Sequence, residues 1–159
     1  MAQSPTVPRI NPADETIGVG ALNVHFLVTG AESNGTVTMF EMTVAGGVGL
    51  PAPPHSHDAY EETIYGLAGE LTWMVDGAPV AVGPGQSVCI PRGAVHMFAN
   101  HRDSEAKALC VLTPAVLGPE YFREIGAVLA AAKGGPPDRA KMMEIQRRHG
   151  LTPAPPPPA

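Results

Sequence analysis

Three of the chain's six histidines stand where a single ion could meet them. His55 and His57 are separated by one residue. On an extended segment residues i and i+2 project from the same face, so two imidazoles spaced this way can grip one ion. Glu62 begins the strand-like run after the loop Asp58-Ala59-Tyr60-Glu61, where a carboxylate can swing toward the same point. His96 follows later, just past the turn Pro91-Arg92-Gly93. Three imidazoles and one carboxylate make a mixed nitrogen and oxygen donor set, suited to one divalent Fe, Mn, Co, Ni, Cu or Zn ion. An ion held this way keeps a position open for water or substrate, which separates catalytic from closed structural sites.

The elements that deliver these side chains are short. Residues 23–28 are rich in β-branched and aromatic side chains, Asn34-Gly35 marks a turn, and 36–44 resumes as a strand. Residues 45–54 hold three glycines and three prolines and read as a loop that delivers His55. Strand-like runs follow at 62–68, 70–75, 80–82, 87–90, 95–99 and 106–113, separated by turn residues such as Asp76-Gly77 and Gly83-Pro84-Gly85. That spacing predicts an all-β sandwich or small barrel over residues 21–114, with residues 1–20 as an N-terminal arm. Pro119 opens a helix with Phe122, Ile125 and Leu129 as its apolar stripe. A second helix runs from about Pro137 to His149, so 115–150 form a helical extension. Residues 151–159 are mostly proline and read as a flexible tail.

The spacing around the histidines is more specific than the histidines themselves. Gly49, His55, His57, Glu62 and Gly69 are separated by five, one, four and six residues. Gly85, Pro91, Gly93, His96 and Asn100 are separated by five, one, two and three. These match the two motifs of the cupin superfamily at every fixed position, and the chain resembles its small single-domain members. The resemblance implies a double-stranded β-helix, or jelly-roll, barrel and one divalent metal ion on His55, His57, Glu62 and His96. Some cupins use a shorter spacing that would select Glu61. The distance to Gly69 favours Glu62, and adjacent strand residues face opposite ways, so Glu61 is expected at the rim or in solvent.

Substrate-pocket candidates are Phe40, Met42, Tyr60, Ile64, Trp73 and Phe98, with Met39, Tyr65, Met74 and Met97 as further wall residues of undecided facing. Phe98 has the parity to share the face of His96. The chain is similar to short bacterial cupins related to quercetin 2,3-dioxygenase. That likeness implies a dioxygenase in which an enol or phenol oxygen of a small molecule binds the metal, Glu62 takes its proton, and O2 attacks. Two alternatives stay open. One is a non-redox isomerase, lyase or decarboxylase using the ion as a Lewis acid; the other is a non-enzymatic ligand-binding cupin. The resemblance also implies a homodimer, with the N-terminal arm as an exchanged segment.

Composition narrows the remaining classes. The 159 residues carry a net charge of −5, and the densest basic stretch, Arg147-Arg148-His149, has Glu144 interleaved. It reads as a solvated helix face rather than a nucleic-acid footprint. No apolar run suits a membrane span, and residues 1–18 show no basic region followed by an apolar one, so a cytoplasmic location is expected. Cys89 and Cys110 each lie in an apolar strand-like run and are expected as buried thiols.

Overall fold

Alternation of inward and outward side chains decides which strand faces meet. In the computed structural model, which describes residues 15–47 and 53–155, the chain opens with β1 (Thr16–Val19) and β2 (Leu22–Val28). Strand β3 (Thr38–Val44) buries every second side chain: Thr38, Phe40, Met42 and Val44. Then come β4 (His55–His57), β5 (Glu61–Ala68), β6 (Leu71–Val75) and β7 (Ala78–Val82). They are followed by β8 (Ser87–Ile90), β9 (His96–Ala99) and β10 (Ala106–Thr113), in which Ala106, Ala108, Cys110 and Leu112 face inward. Two helices, α1 (Pro119–Ala131) and α2 (Arg139–Arg148), precede a last strand, β11 (Leu151–Pro153).

The strands form two antiparallel sheets, in the orders β1-β2-β3-β10-β5-β8 and β11-β4-β9-β6-β7. Their inner faces enclose one apolar core in which Val24, Val44, Ile64, Cys110 and Leu112 are fully buried. This is a jelly-roll β-barrel with C-terminal helices, the fold class that the strand pattern and motifs imply. Two motif residues have visible structural uses. Gly69 takes φ 64° at the β5–β6 turn, where a Cβ would lie 2.7 Å from the Glu105 carbonyl oxygen. The buried Asn100 amide donates to the carbonyls of Val44, Ala45 and Ser104 and accepts from Arg102 N–H, pinning two loops together. Gly49, Pro156–Ala159 and most of the N-terminal arm lie outside the described residues.

Several expectations need correction. Thr16–Val19, assigned to the arm, pair with β2 as a sheet-edge strand. Leu151–Pro153, assigned to a flexible tail, pair with β4. Pro153 is tolerated because β11 is an edge strand, where a missing N–H costs no ladder bond. Cys89 is exposed, unlike buried Cys110, because β8 is also an edge strand and turns that side chain to solvent.

The helices attach as a pair. Helix α1 buries Tyr121, Phe122, Ile125 and Val128 and packs on β1, where a Cβ on Gly126 would meet the Gly18 carbonyl oxygen at 2.5 Å. Helix α2 is capped by Asp138, whose side chain accepts from Lys141 N–H. Glu124 of α1 holds Arg148 (2.6 Å) and His149 (2.9 Å) at the end of α2. Among the described residues no helix is long and apolar enough to cross a membrane.

Two predictions follow from this docking. Gly126→Ala should lower stability by about 1–3 kcal/mol, measured by urea unfolding, because the backbone contact has no slack. The Arg148 guanidinium, followed by His149, holds the Glu124 carboxyl down at about 2. A depressed carboxyl contributes stability in full above its unfolded value and loses it as pH falls through the folded one. The urea midpoint should therefore fall from about pH 5 to pH 2, and less steeply in Glu124→Gln.

Candidate metal centre

The three histidines come together because two short strands pair. In the β4–β9 ladder His55 lies directly opposite His96. His57, two residues along β4, projects from the same face as His55. The ring centroids lie 4.6 Å apart for His55–His96, 4.6 Å for His57–His96 and 5.0 Å for His55–His57. One nitrogen from each falls within 4.8 Å of the others. All three side chains are buried.

Glu62 arrives from the other sheet. It lies near the start of β5, and its Oε2 is 3.2 Å from His96 Nε2 and 3.8 Å from His57 Nδ1. The candidate donors therefore span the gap between the two layers. Neighbouring Glu61 faces away and pairs with Arg92 at 2.7 Å on the surface.

The surroundings prepare the imidazoles as lone-pair donors. His55 Nδ1–H donates to the Pro53 carbonyl (2.8 Å) and His96 Nδ1–H to the Ala94 carbonyl (3.0 Å). These bonds fix both tautomers and leave each Nε2 as the free donor atom. Nε2 of His57 is buried without a hydrogen-bond partner, a costly arrangement that a bound ion would relieve, while Nε2 of His96 faces the Glu62 carboxylate. Burial pushes His55 down to about 3 and His57 down to about 4, so both are neutral near pH 7. For His96 burial acts downward, but the adjacent Glu62 carboxylate outweighs it and raises the value. For Glu62 burial acts upward, but His96, then His57 and His55, hold the carboxyl down at about 2. Glu62 is therefore an ionised carboxylate.

A cavity of about 60 Å3 adjoins the cluster. Of the sequence candidates, Phe40, Met42, Trp73 and Phe98 line it beside His55, His57, Glu62 and His96. Tyr60 and Ile64 are fully buried but do not line it. Tyr60 instead stacks on the back of His57, with ring centroids 4.3 Å apart and planes at 21°. Tyr65 is 44% exposed. Met74 and Met97 face a separate groove, as neighbours of Trp73 and Phe98 with opposite parity must.

Sequence reasoning missed the far wall. Leu117, Tyr121 and Phe122 from the start of the helical extension, and Leu151 from β11, also line the cavity. Phe122 packs against both Phe26 and Phe40, with centroids at 5.7 and 5.3 Å. The amphipathic stripe of α1 was a signal that Phe122 is buried, but not of where. Asp58 joins this wall to β4, accepting from Ser56 Oγ at 3.2 Å and from Thr152 Oγ1 at 2.6 Å.

Comparison with known proteins bears on the family and the fold. A family model described as a cupin domain matches residues 40–112. Quercetin 2,3-dioxygenase of Bacillus subtilis (strain 168) is 34% identical over 73 residues, which are 45% of this chain and 21% of that protein. The match thus spans about a fifth of the relative's length. The structure of KdgF from a Halomonas species superposes with a TM-score of 0.55 at 13% identity, covering 63% of this chain and 86% of that one. A sugar phosphate isomerase of the cupin superfamily from Silicibacter pomeroyi DSS-3 gives 0.52 at 21% identity, covering 60% of each chain. At these identities the structural likeness speaks for the fold.

The Tyr60 hydroxyl is buried with no partner, and burial pushes its ionisation above the usual phenol range. Tyr60→Phe should therefore leave stability within about 1 kcal/mol of the parent, or raise it. Tyr60→Ala, which removes the ring behind His57, should cost about 3–5 kcal/mol. Thermal unfolding of the two variants measures both.

Proposed function

From a chain that carries a cupin domain over residues 40–112, we propose a metal-dependent dioxygenase of the quercetinase-like type, acting on a small organic molecule with an ionisable oxygen. The observation that carries this reading is the convergence of His55, His57 and His96 within 4.8 Å, with the Glu62 carboxylate beside them, at the wall of a mainly apolar cavity. These four side chains would hold one divalent ion. The fit rests on two neutral imidazoles, the buried unpartnered Nε2 of His57, and an ionised carboxylate to offset charge.

When bound, such an ion supplies stabilisation of an anionic enol or phenol oxygen and a meeting point for O2. The chain's own residues do the rest. Glu62 accepts the substrate hydroxyl proton on a carboxylate oxygen. Phe40, Met42, Trp73 and Phe98 keep water from the reacting carbon. The Nδ1 bonds to Pro53 and Ala94 hold the His55 and His96 rings in place as that charge develops. Both atoms of O2 enter the product, so the substrate supplies the electrons and no separate reductant is needed.

A second reading keeps the ion as a Lewis acid for an isomerase, lyase or decarboxylase. The cavity favours it in one respect: about 60 Å3 is small for a multi-ring substrate.

Elemental analysis should find about one equivalent of a divalent ion, lost in His55→Ala and His96→Ala. Oxygen uptake with enolic substrates should depend on that ion and fall about 100-fold or more in Glu62→Gln. Substrate turnover without oxygen uptake would establish the Lewis-acid reading instead. An ion without turnover of any enol would leave a ligand-binding protein, and failure to take up any ion would remove the metal centre.

A further inference from the structure

The part of the barrel that holds the histidines is covered by a segment far along the chain. Leu117, Tyr121, Phe122 and Leu151 face the cavity, and none is more than 7% exposed. The cover is fastened at several separate points. Phe122 interlocks with Phe26 and Phe40, Gly126 lies against the Gly18 backbone, and β11 is hydrogen-bonded to β4 along Leu151–His57, Thr152–Ser56 and Pro153–His55. A cover tied through aromatic packing, backbone contact and a strand ladder is part of the core, not a loose flap.

The space beneath it is small. Sites for drug-sized ligands enclose roughly 300–1,000 Å3, whereas a single water needs roughly 10–15 Å3. The observed 60 Å3 lies far below the drug-sized range. Its walls are aromatic and aliphatic apart from the four candidate donors, the Tyr121 hydroxyl and the Trp73 indole. Phe122 is the largest side chain that the cover contributes without a polar atom, and it projects beside Phe40, a wall of the same cavity.

We propose that Phe122 is the specificity-determining residue of this site and that it restricts the substrate to a compact enol, hydroxyketone or carboxylate. The inference rests on the metal centre proposed above and narrows its substrate class. It places multi-ring flavonols outside the site's capacity, whatever the chemistry at the ion.

The test uses the full chain loaded with Co(II) and two bidentate oxygen ligands of different bulk, acetohydroxamate and 3-hydroxyflavone. Binding is read from the cobalt visible bands. The parent protein should bind acetohydroxamate at least about tenfold more tightly than 3-hydroxyflavone, and Phe122→Ala should remove most of that ratio. Phe122→Leu, which preserves more of the core, should narrow it in the same direction and serves if the alanine variant does not fold. Equal binding of both ligands by the parent, or an unchanged ratio in a folded variant, overturns the proposal.

A chain that takes up no cobalt sinks the metal reading separately. Access is then measured in the metal-free chain through Trp73, the only tryptophan and a cavity wall. Acrylamide should quench it at least about threefold more effectively in Phe122→Leu than in the parent. Equal quenching would show that Phe122 bars nothing.

Discussion

Four polar side chains must sit dehydrated between two apolar sheets, and most of the architecture can be understood from that constraint. An isolated charge so placed would cost several kcal/mol, so the cluster is arranged around one carboxylate and its imidazole neighbours. Each of the two sheets contributes what the other lacks: the histidines lie on β4 and β9, and Glu62 lies on β5. The contact between Glu62 and His96 is therefore also a contact between the layers. Gly69 and Asn100 act at one remove, fixing the turns that set strand positions, as does the Gly93 N–H that donates to the His57 carbonyl.

What was legible in the sequence follows from parity and spacing. His55 and His57 had to share a face, Glu61 and Glu62 could not, and the turn residues located β2, β3 and β5 to β10 to within a residue or two. The cavity wall was less legible for the same reason. Tyr60 and Ile64 are fully buried and Trp73 almost so, but only Trp73 borders open space. Burial of a side chain is written in its pattern; the presence of an empty volume beside it is not.

The C-terminal segment was the least legible part. An apolar stripe at helical spacing says that α1 buries one face, and nothing in it says against what. Its partner, β1, was itself hidden in a stretch that reads as patternless. Proline content concealed β11 in turn, because an edge strand accepts proline where a central one would not. Cys89 shows the same edge effect from the other side: an apolar run need not be buried on both faces when one neighbour is missing.

The pairing of β11 with β4 orders events in time as well as in space. Asp58 and Thr152, which bridge the two strands, are 94 residues apart. A chain made from its N-terminus emerges with all three histidines and Glu62 before the strand that borders them has been synthesised. The donors are thus present in the chain before the segment that lines the far side of their cavity.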